Sequence, residues 1–240
     1  MMLLTHRTAR GHRSLRLDGF TLVELLVVVT VIVVLAGIAA ASVRNAVQKA
    51  NAIKCAAKLK CLGTAVVLYS QENQDQFPRS FHSAGAHRQP GWAVSIAPYL
   101  GISDARIESD WSGVFNACLR SPADPFTDPF IYSYGLNVHF ELDPDGDDYF
   151  GSPATWRRLC QIPTPTGTIL MGQTMPVRFG DHLMCHQWSG VQAAKNALNH
   201  AIHGGKANYL FVDGHVETLR VEETFDPSRH INSWNPSLAR

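Results

Sequence analysis

A single carboxylate stands inside the longest apolar stretch of this chain. Glu24 follows Gly19 and Phe20 by a few residues, and apolar side chains then continue to Val43. A charged group in a membrane-spanning helix is costly unless it lies near the interface or finds a partner. Glu24 could favour the positive N-terminal end of its own helix dipole. The first chemistry that the sequence indicates is therefore a carboxylate that needs compensation of its charge at the start of a membrane helix.

A second candidate site is an acidic turn in the middle of the chain. Asp143, Asp145 and Asp147 place oxygen ligands at alternate positions, as the beginning of a calcium-binding loop does. The EF-hand pattern needs a glutamate at its twelfth position, where this chain has Ala154. Asp143, Asp145 and Asp147 are therefore candidate calcium ligands of another loop type, but we favour a solvated acidic turn and expect no cofactor.

Histidine and cysteine are concentrated toward the C-terminus, at His182, Cys185, His186, His200, His203 and His215. Histidines three or four residues apart would share a helix face and could bind zinc there. Nearby proline and glycine weaken the helix prediction. We favour a structural role, in which His203 donates a hydrogen bond that fixes the Gly204-Gly205 turn. Calcium in the acidic turn is then the one cofactor that we retain as a candidate.

The cysteines show no C-x-x-C spacing; they are Cys55, Cys61, Cys118, Cys160 and Cys185. Six residues of helix turn by about 240°, so the first two thiols point apart and cannot bridge each other. We expect buried free thiols. The alternative, in an exported domain, is one disulfide among the last three.

Two function classes have no support in the composition and motifs. The formal net charge is +1, so nothing electrostatic favours nucleic-acid binding. Neither a Gly-x-Ser-x-Gly elbow nor a His-Glu-x-x-His helix occurs. We therefore expect no nucleic-acid partner and no enzyme.

The element that must position Glu24 is a long helix behind a basic leader. Residues 1–19 carry four arginines against one acidic residue, Asp18, so the positive-inside rule keeps them in the cytoplasm. The apolar run over 20–43 is long enough to span about 30 Å of hydrocarbon. A secretory signal would have its cleavage site after the apolar core, whereas Gly19 precedes it. The run should therefore remain as a membrane anchor.

The same helix should continue beyond the membrane. An amphipathic pattern begins after the apolar run and continues over 44–77. It brings these apolar residues near one face: Val43, Ala46, Val47, Ala50, Ile53, Ala57, Leu62 and Val66. Because no proline occurs in this stretch, one helix can extend from Phe20 to about Gln71, roughly 75 Å. Short strands and turns then predict a globular head over 78–240.

The unit Gly19-Phe20-Thr21-Leu22-Val23-Glu24, between a basic leader and an apolar helix, resembles the prepilin signal of type IV pilins and type II secretion pseudopilins. The resemblance implies that a prepilin peptidase cuts between Gly19 and Phe20 on the cytoplasmic face. It implies that Phe20 is then N-methylated. It also implies that Glu24 pairs with the free amino terminus of a neighbouring subunit during assembly.

A second resemblance lies near the C-terminus. His203 is separated by nine residues from Asp213-Gly214, and this spacing is similar to the C-terminal motif of the prepilin-type processing-associated family. Asp-Gly between two β-forming runs also predicts a hairpin with a two-residue turn and positive φ at both positions. Strand alternation then predicts one face with Asn208, Leu210 and Val212, and the other with Tyr209 and Phe211.

Together these features predict an α+β, pilin-like lollipop, whose long N-terminal helix is membrane-spanning in its first half and packs on a small antiparallel sheet. We expect a single-pass protein of the cytoplasmic (inner) membrane, with its N-terminus in the cytoplasm and its head in the periplasm or cell exterior. Its expected partners are prepilin peptidase, like pilin or pseudopilin subunits and membrane lipid, in a type II secretion-like or pilus-like system. The alternatives are an anchored binding module that does not polymerise and a membrane-tethered metal-dependent enzyme.

Overall fold

The computed structural model describes residues 20–141 and 156–240. The chain divides between Asn45 and Ala46 into an N-terminal unit and a C-terminal unit. The predicted leader, with Gly19, lies outside the described residues, and so do the candidate calcium ligands Asp143, Asp145 and Asp147.

One long helix, α1, extends over Leu22–Glu72 and has 51 residues. The prediction of a single helix from Phe20 to about Gln71 is therefore confirmed to within two residues. The remaining α-helices are short: α2 (Phe81–Ala86), α3 (Trp92–Ser95), α4 (Asp104–Ser109), α5 (Trp111–Val114), α6 (Val191–Ala197) and α7 (Val221–Thr224). Tighter 3₁₀ turns occupy Ala97–Leu100, Val138–Phe140, Leu159–Gln161, Cys185–Gln187 and Pro227–Arg229, and a π turn occupies Phe115–Leu119.

A five-stranded sheet lies at the centre of the C-terminal unit. Its strands are β1 (Tyr134–Asn137), β2 (Ile169–Gln173), β3 (His182–Leu183), β4 (Ala207–Phe211) and β5 (Val216–Leu219). Their order across the sheet is β3-β1-β2-β4-β5. A separate antiparallel pair joins β6 (Phe225–Asp226) to β7 (Ile231–Asn232).

The sheet is antiparallel except at one edge. The pairs β1–β2, β2–β4 and β4–β5 are antiparallel, whereas β3 lies parallel to β1. After β2 the chain reverses direction and enters β3 on the far side of β1. Since β1 and β3 are both opposite in direction to β2, they are parallel to each other. The α+β class is confirmed, and the sheet is mixed where an antiparallel one was expected.

The second half of α1 covers one face of this sheet. Its buried residues recur at helical spacing and form one straight stripe: Cys55, Leu59, Leu62 and Val66. They share a hydrophobic cluster with Leu210 and Val212 of the β4 segment. Asn208 confirms the same orientation, because its Nδ2 donates to the carbonyl oxygen of Ala52 in α1 at 2.9 Å.

The predicted apolar face of this part of α1 was partly wrong. Leu62 and Val66 are buried, but Ile53 is 70% exposed, and all the other residues predicted for this face are exposed as well. Two residues turn a helix by about 200°, so Ile53 cannot share a side with Cys55. The cysteine, and not the isoleucine, defines the inward stripe.

The other face of the sheet has its own core. Tyr209 and Phe211 belong to a second cluster with Trp234, whereas Leu210 and Val212 belong to the first. The predicted alternation along β4 is therefore confirmed. Both faces of this strand are covered, which explains why all five of its residues are buried.

Two buried carboxylates hold the start of α2. Glu141 and Asp181 are each 1% exposed. Glu141 Oε2 accepts a hydrogen bond from the Ser80 backbone N–H, and Asp181 Oδ2 accepts one from the Phe81 N–H at 2.6 Å. Burial raises the pKa of Glu141 to about 7, with a further rise from Asp181, while the neighbouring His182 and the bonds from Ser80 act in the opposite direction. The two carboxylates thus accept hydrogen bonds from backbone N–H groups at the start of α2, and burial keeps the pKa of Glu141 above its usual value.

We predict that Gly172→Ala destabilises the C-terminal unit by about 1–3 kcal/mol. A Cβ at position 172 would lie 2.7 Å from Cη2 of Trp234. That ring is held by Tyr209 and Trp188, with ring centroids 5.9 and 5.1 Å away, so it cannot move aside. Urea unfolding of the full chain in detergent, followed by tryptophan fluorescence, measures the loss. Gly85→Ala is the matched control, because its Cβ would meet nothing within 4 Å; equal losses in the two variants would contradict the packing argument.

We also predict that the free energy of unfolding depends on pH through Glu141 and that Glu141→Gln removes this contribution. The pKa of Glu141 is raised from 4.5 to about 7 in the folded state, so the folded chain holds a proton that the unfolded chain releases. Stability from protonated Glu141 is present below about pH 4.5 and is lost as pH rises to about 7, by about 3 kcal/mol at most. Urea unfolding at several pH values measures it. The wild-type protein should lose stability relative to Glu141→Gln across this window, and parallel curves would refute the assignment.

Candidate functional site

The start of α1 carries the chemistry that the sequence singled out. Phe20 is 72% exposed, and Thr21 precedes the first helical residue, Leu22. The Thr21 N–H donates to Glu24 Oε2 at 2.9 Å, and the Thr21 hydroxyl donates to the same oxygen at 2.7 Å. In return, the Glu24 N–H donates to the Thr21 hydroxyl oxygen at 3.2 Å. These bonds form a capping box, which satisfies backbone donors at the helix start.

The capping box uses one of the two carboxylate oxygens of Glu24. Within the described part of the chain, Oε1 of Glu24 has no hydrogen-bond partner. A carboxylate can accept several hydrogen bonds, so Glu24 can cap its own helix and still accept a cation from another molecule. The two interpretations of Glu24 are compatible, since each uses a different oxygen.

The first half of α1 presents a continuous apolar surface. Every Leu, Val and Ile side chain from Leu22 to Ile38 is at least 45% exposed. Among the described residues, α1 is the one helix that is long and apolar enough to cross a membrane. Exposed apolar surface of this extent is typical of a segment that lies in lipid or against other helices.

The predicted β4–β5 hairpin exists, but its turn differs from the prediction. The Phe211 carbonyl accepts a hydrogen bond from the Gly214 N–H at 3.0 Å, and the Phe211 N–H donates to the His215 carbonyl at 2.9 Å. Gly214 has φ +89°, whereas Asp213 is not among the residues with positive φ. The loop therefore has three residues, with one glycine in the left-handed region, and the predicted two-residue turn was wrong.

Asp213 explains why the longer loop forms. Its Oδ1 accepts a hydrogen bond from the His215 N–H at 3.1 Å and also contacts His215 Nδ1 at 2.5 Å. An aspartate that bonds the backbone two residues later forms a turn through its own side chain and needs no positive φ. Asp213 and Gly214 thus have distinct structural roles in this motif.

His203 closes a turn with its backbone. Its N–H donates to the Lys206 carbonyl at 3.0 Å, across Gly204 (φ +69°) and Gly205 (φ +86°). The predicted hydrogen bond is thus present, but any non-proline residue could donate it. The imidazole Nε2 is buried and has no hydrogen-bond partner among the described residues. Burial lowers the pKa of His203, because it disfavours the charged ring.

The histidines and cysteines do not converge on a metal. Among the described residues, no group of three or more His, Cys, Asp or Glu side chains could hold a metal ion. His215 instead contacts Asp213, and His182 contacts Asp181 at 3.0 Å. All five cysteines are free thiols; Cys55 and Cys185 are buried, as expected, while Cys61 and Cys160 are exposed.

A cavity of about 450 Å³ opens in the C-terminal unit, and sequence analysis did not predict it. Its lining includes Trp188, Phe225, His230, Asn232, Asn235 and Arg240. Most of these come from the segment around β6 and β7, whose spacing contains no known motif. The volume falls within the range of small-molecule sites. Only the folding of this segment against the Cys185–Gln187 turn brings the lining together.

Comparison with known proteins assigns the N-terminal segment alone. Residues 18–40 match the family described as "Prokaryotic N-terminal methylation motif". A search of curated proteins and a search of solved structures found no match. The matched residues contain Phe20, the Thr21–Glu24 capping box and most of the exposed apolar surface. The chain therefore carries a prepilin-type signal, which supports a membrane-anchored, type IV pilin-like precursor that prepilin peptidase processes.

Proposed function

We propose that this protein is a pseudopilin-like or pilin-like structural subunit that assembles with like subunits through α1, in a type II secretion-like or pilus-like system. The observation that carries the proposal is the exposed apolar surface of α1 beside Glu24, inside the matched methylation motif. The spacing from His203 to Asp213-Gly214 supports the prepilin-type processing-associated branch. In this proposal the leader over 1–19 is removed, and the head over 78–240 lies in the periplasm or cell exterior.

The exposed apolar surface of α1 contributes differently to the proposed assembly inside and outside the membrane. Each Å² of apolar surface removed from water contributes roughly 25 cal/mol. Side chains in lipid are already removed from water. Packing and polar contacts between helices must therefore decide whether subunits associate there. Exposed apolar residues also continue past the membrane segment, at Val47 and Ile53, which are 53% and 70% exposed. Those two residues would gain hydrophobic stabilisation from a neighbouring subunit.

Glu24 supplies the polar contact. Cleavage after Gly19 would create an ammonium group on Phe20, and a buried carboxylate needs such a partner. Because Oε2 is already used by Thr21, Oε1 remains for the amino terminus of the next subunit. The arginine-rich leader supports a cytoplasmic N-terminus before cleavage.

Processing by prepilin peptidase gives a testable prediction. When the wild-type chain is expressed with a prepilin peptidase, its mature N-terminus should be Phe20 and should carry one added methyl group. Gly19→Val should remain uncleaved, because a side chain replaces the glycine at the cut bond. Mass spectrometry of the intact protein and its N-terminal peptide measures both. Gly37→Val is the control, since a Cβ there meets nothing within 4 Å. Cleavage at another bond, or cleavage of Gly19→Val, would refute the assignment.

The second prediction separates the charge of Glu24 from its capping role. Glu24→Gln can still accept the Thr21 N–H bond but carries no charge, so it should be cleaved normally and assemble at least about tenfold less, a difference of about 1.4 kcal/mol. Chemical cross-linking of subunits in membranes measures assembly. Thr21→Val is the matched control, because it removes the capping hydroxyl and keeps the charge; it should assemble nearly as the wild type does. Wild-type assembly by Glu24→Gln would exclude the ion pair.

A further inference from the structure

The lining of the 450 Å³ cavity in the C-terminal unit includes Asn232, Asn235 and His230, whose side-chain donors have no hydrogen-bond partner among the described residues. Asn232 Oδ1 accepts from the N–H groups of Trp234 and Asn235, both at 3.0 Å. Asn235 Oδ1 accepts from the Ser237 N–H at 2.9 Å. Each amide oxygen is thus occupied, and within the described residues neither amide nitrogen has a hydrogen-bond partner. Both carboxamides are fixed in orientation, with their NH₂ groups available to a ligand.

His230 adds a third polar group, and its backbone adopts an uncommon conformation. Its φ is +56°, in the left-handed region that side chains larger than glycine rarely adopt. Its backbone N–H bonds the Pro227 carbonyl at 3.3 Å, and its imidazole has no hydrogen-bond partner in the described part of the chain. Backbone conformations of this kind are concentrated at binding sites.

The remaining lining sets the charge and shape. Arg240 contributes a guanidinium group, and none of the described residues that line the cavity is Asp or Glu. Trp188 is held by edge contacts to Phe225 and Trp234, with ring centroids at 5.4 and 5.1 Å. The cavity therefore joins a rigid aromatic wall to amide, imidazole and guanidinium donors, with no acidic side chain to oppose an anion.

We propose that this cavity binds an acidic saccharide, a sugar ring that carries a carboxylate. The aromatic wall suits the C–H face of a sugar ring, and the amides of Asn232 and Asn235 suit its hydroxyl and ring oxygens. Arg240 and the absence of acidic lining suit its carboxylate, because a guanidinium pairs with carboxylate through two parallel hydrogen bonds. Ligand binding by the head is independent of assembly through α1, so either proposal can fail without the other.

Isothermal titration calorimetry on the full chain tests the proposal. The protein is held in a phosphocholine detergent, because maltoside detergents would themselves present sugar. The probes are glucuronate, glucose and acetate at fixed ionic strength. Glucuronate should bind saturably, and glucose and acetate should each bind at least about tenfold more weakly, since each lacks half of the recognised chemistry. Absence of saturable glucuronate binding, or equal binding of glucose or acetate, would overturn the proposal.

Matched variants tie the binding to the cavity. Asn235→Asp keeps the acceptor for the Ser237 N–H and replaces the donor with a negative charge, so glucuronate binding should fall at least about tenfold. Asn196→Asp is the control, because Asn196 lies on α6 outside the lining and its Oδ1 likewise accepts a hydrogen bond, from Gln192 Nε2 at 2.9 Å. His230→Gly provides a second test, since glycine suits the positive φ and removes the imidazole. Unchanged affinity in both cavity variants would place the site elsewhere.

Discussion

The burial of α1 is the constraint on which the rest of the structure depends. Its second half is covered by the sheet of its own chain, through the stripe from Cys55 to Val66. In its first half, the large apolar side chains that the structure describes are exposed. One helix thus has two different requirements, an intramolecular core and an external apolar environment. That division gives the N-terminal motif its physical meaning, because a membrane or a neighbouring helix must supply the second environment.

The sheet meets the intramolecular requirement by being covered on both sides. Leu210 and Val212 face α1, while Tyr209 and Phe211 face the cluster around Trp234. The tight approach of Gly172 to Trp234 fixes that second core and, with it, the segment of β6 and β7. The cavity lies beside this segment, so the packing that stabilises the head also shapes the cavity.

Periodic and local features were predictable, and long-range ones were not. The α1 helix, the hairpin after His203 and the alternation along β4 each arise from short-range spacing, and each was found. The predicted apolar face of α1 was wrong at Ile53, because hydrophobicity alone does not show which side of the helix packs on the sheet. The parallel edge at β3 was missed because two residues carry no periodicity. The turn at Asp213 differed because a side-chain hydrogen bond replaced a positive φ.

By itself, the sequence determined the N-terminal signal and the helix that follows it, since both depend on neighbouring residues and on the long apolar run. Glu24 was recognisable as an anomaly in the same way. Only the tertiary structure decided that Glu141 and Asp181 are buried together at the start of α2. It alone decided that Asn232, Asn235 and Arg240 share a cavity with Trp188. Glu141 is far from Asp181 in sequence, and Trp188 is far from the segment that contains Asn232 and Arg240, so no local spacing encodes these contacts.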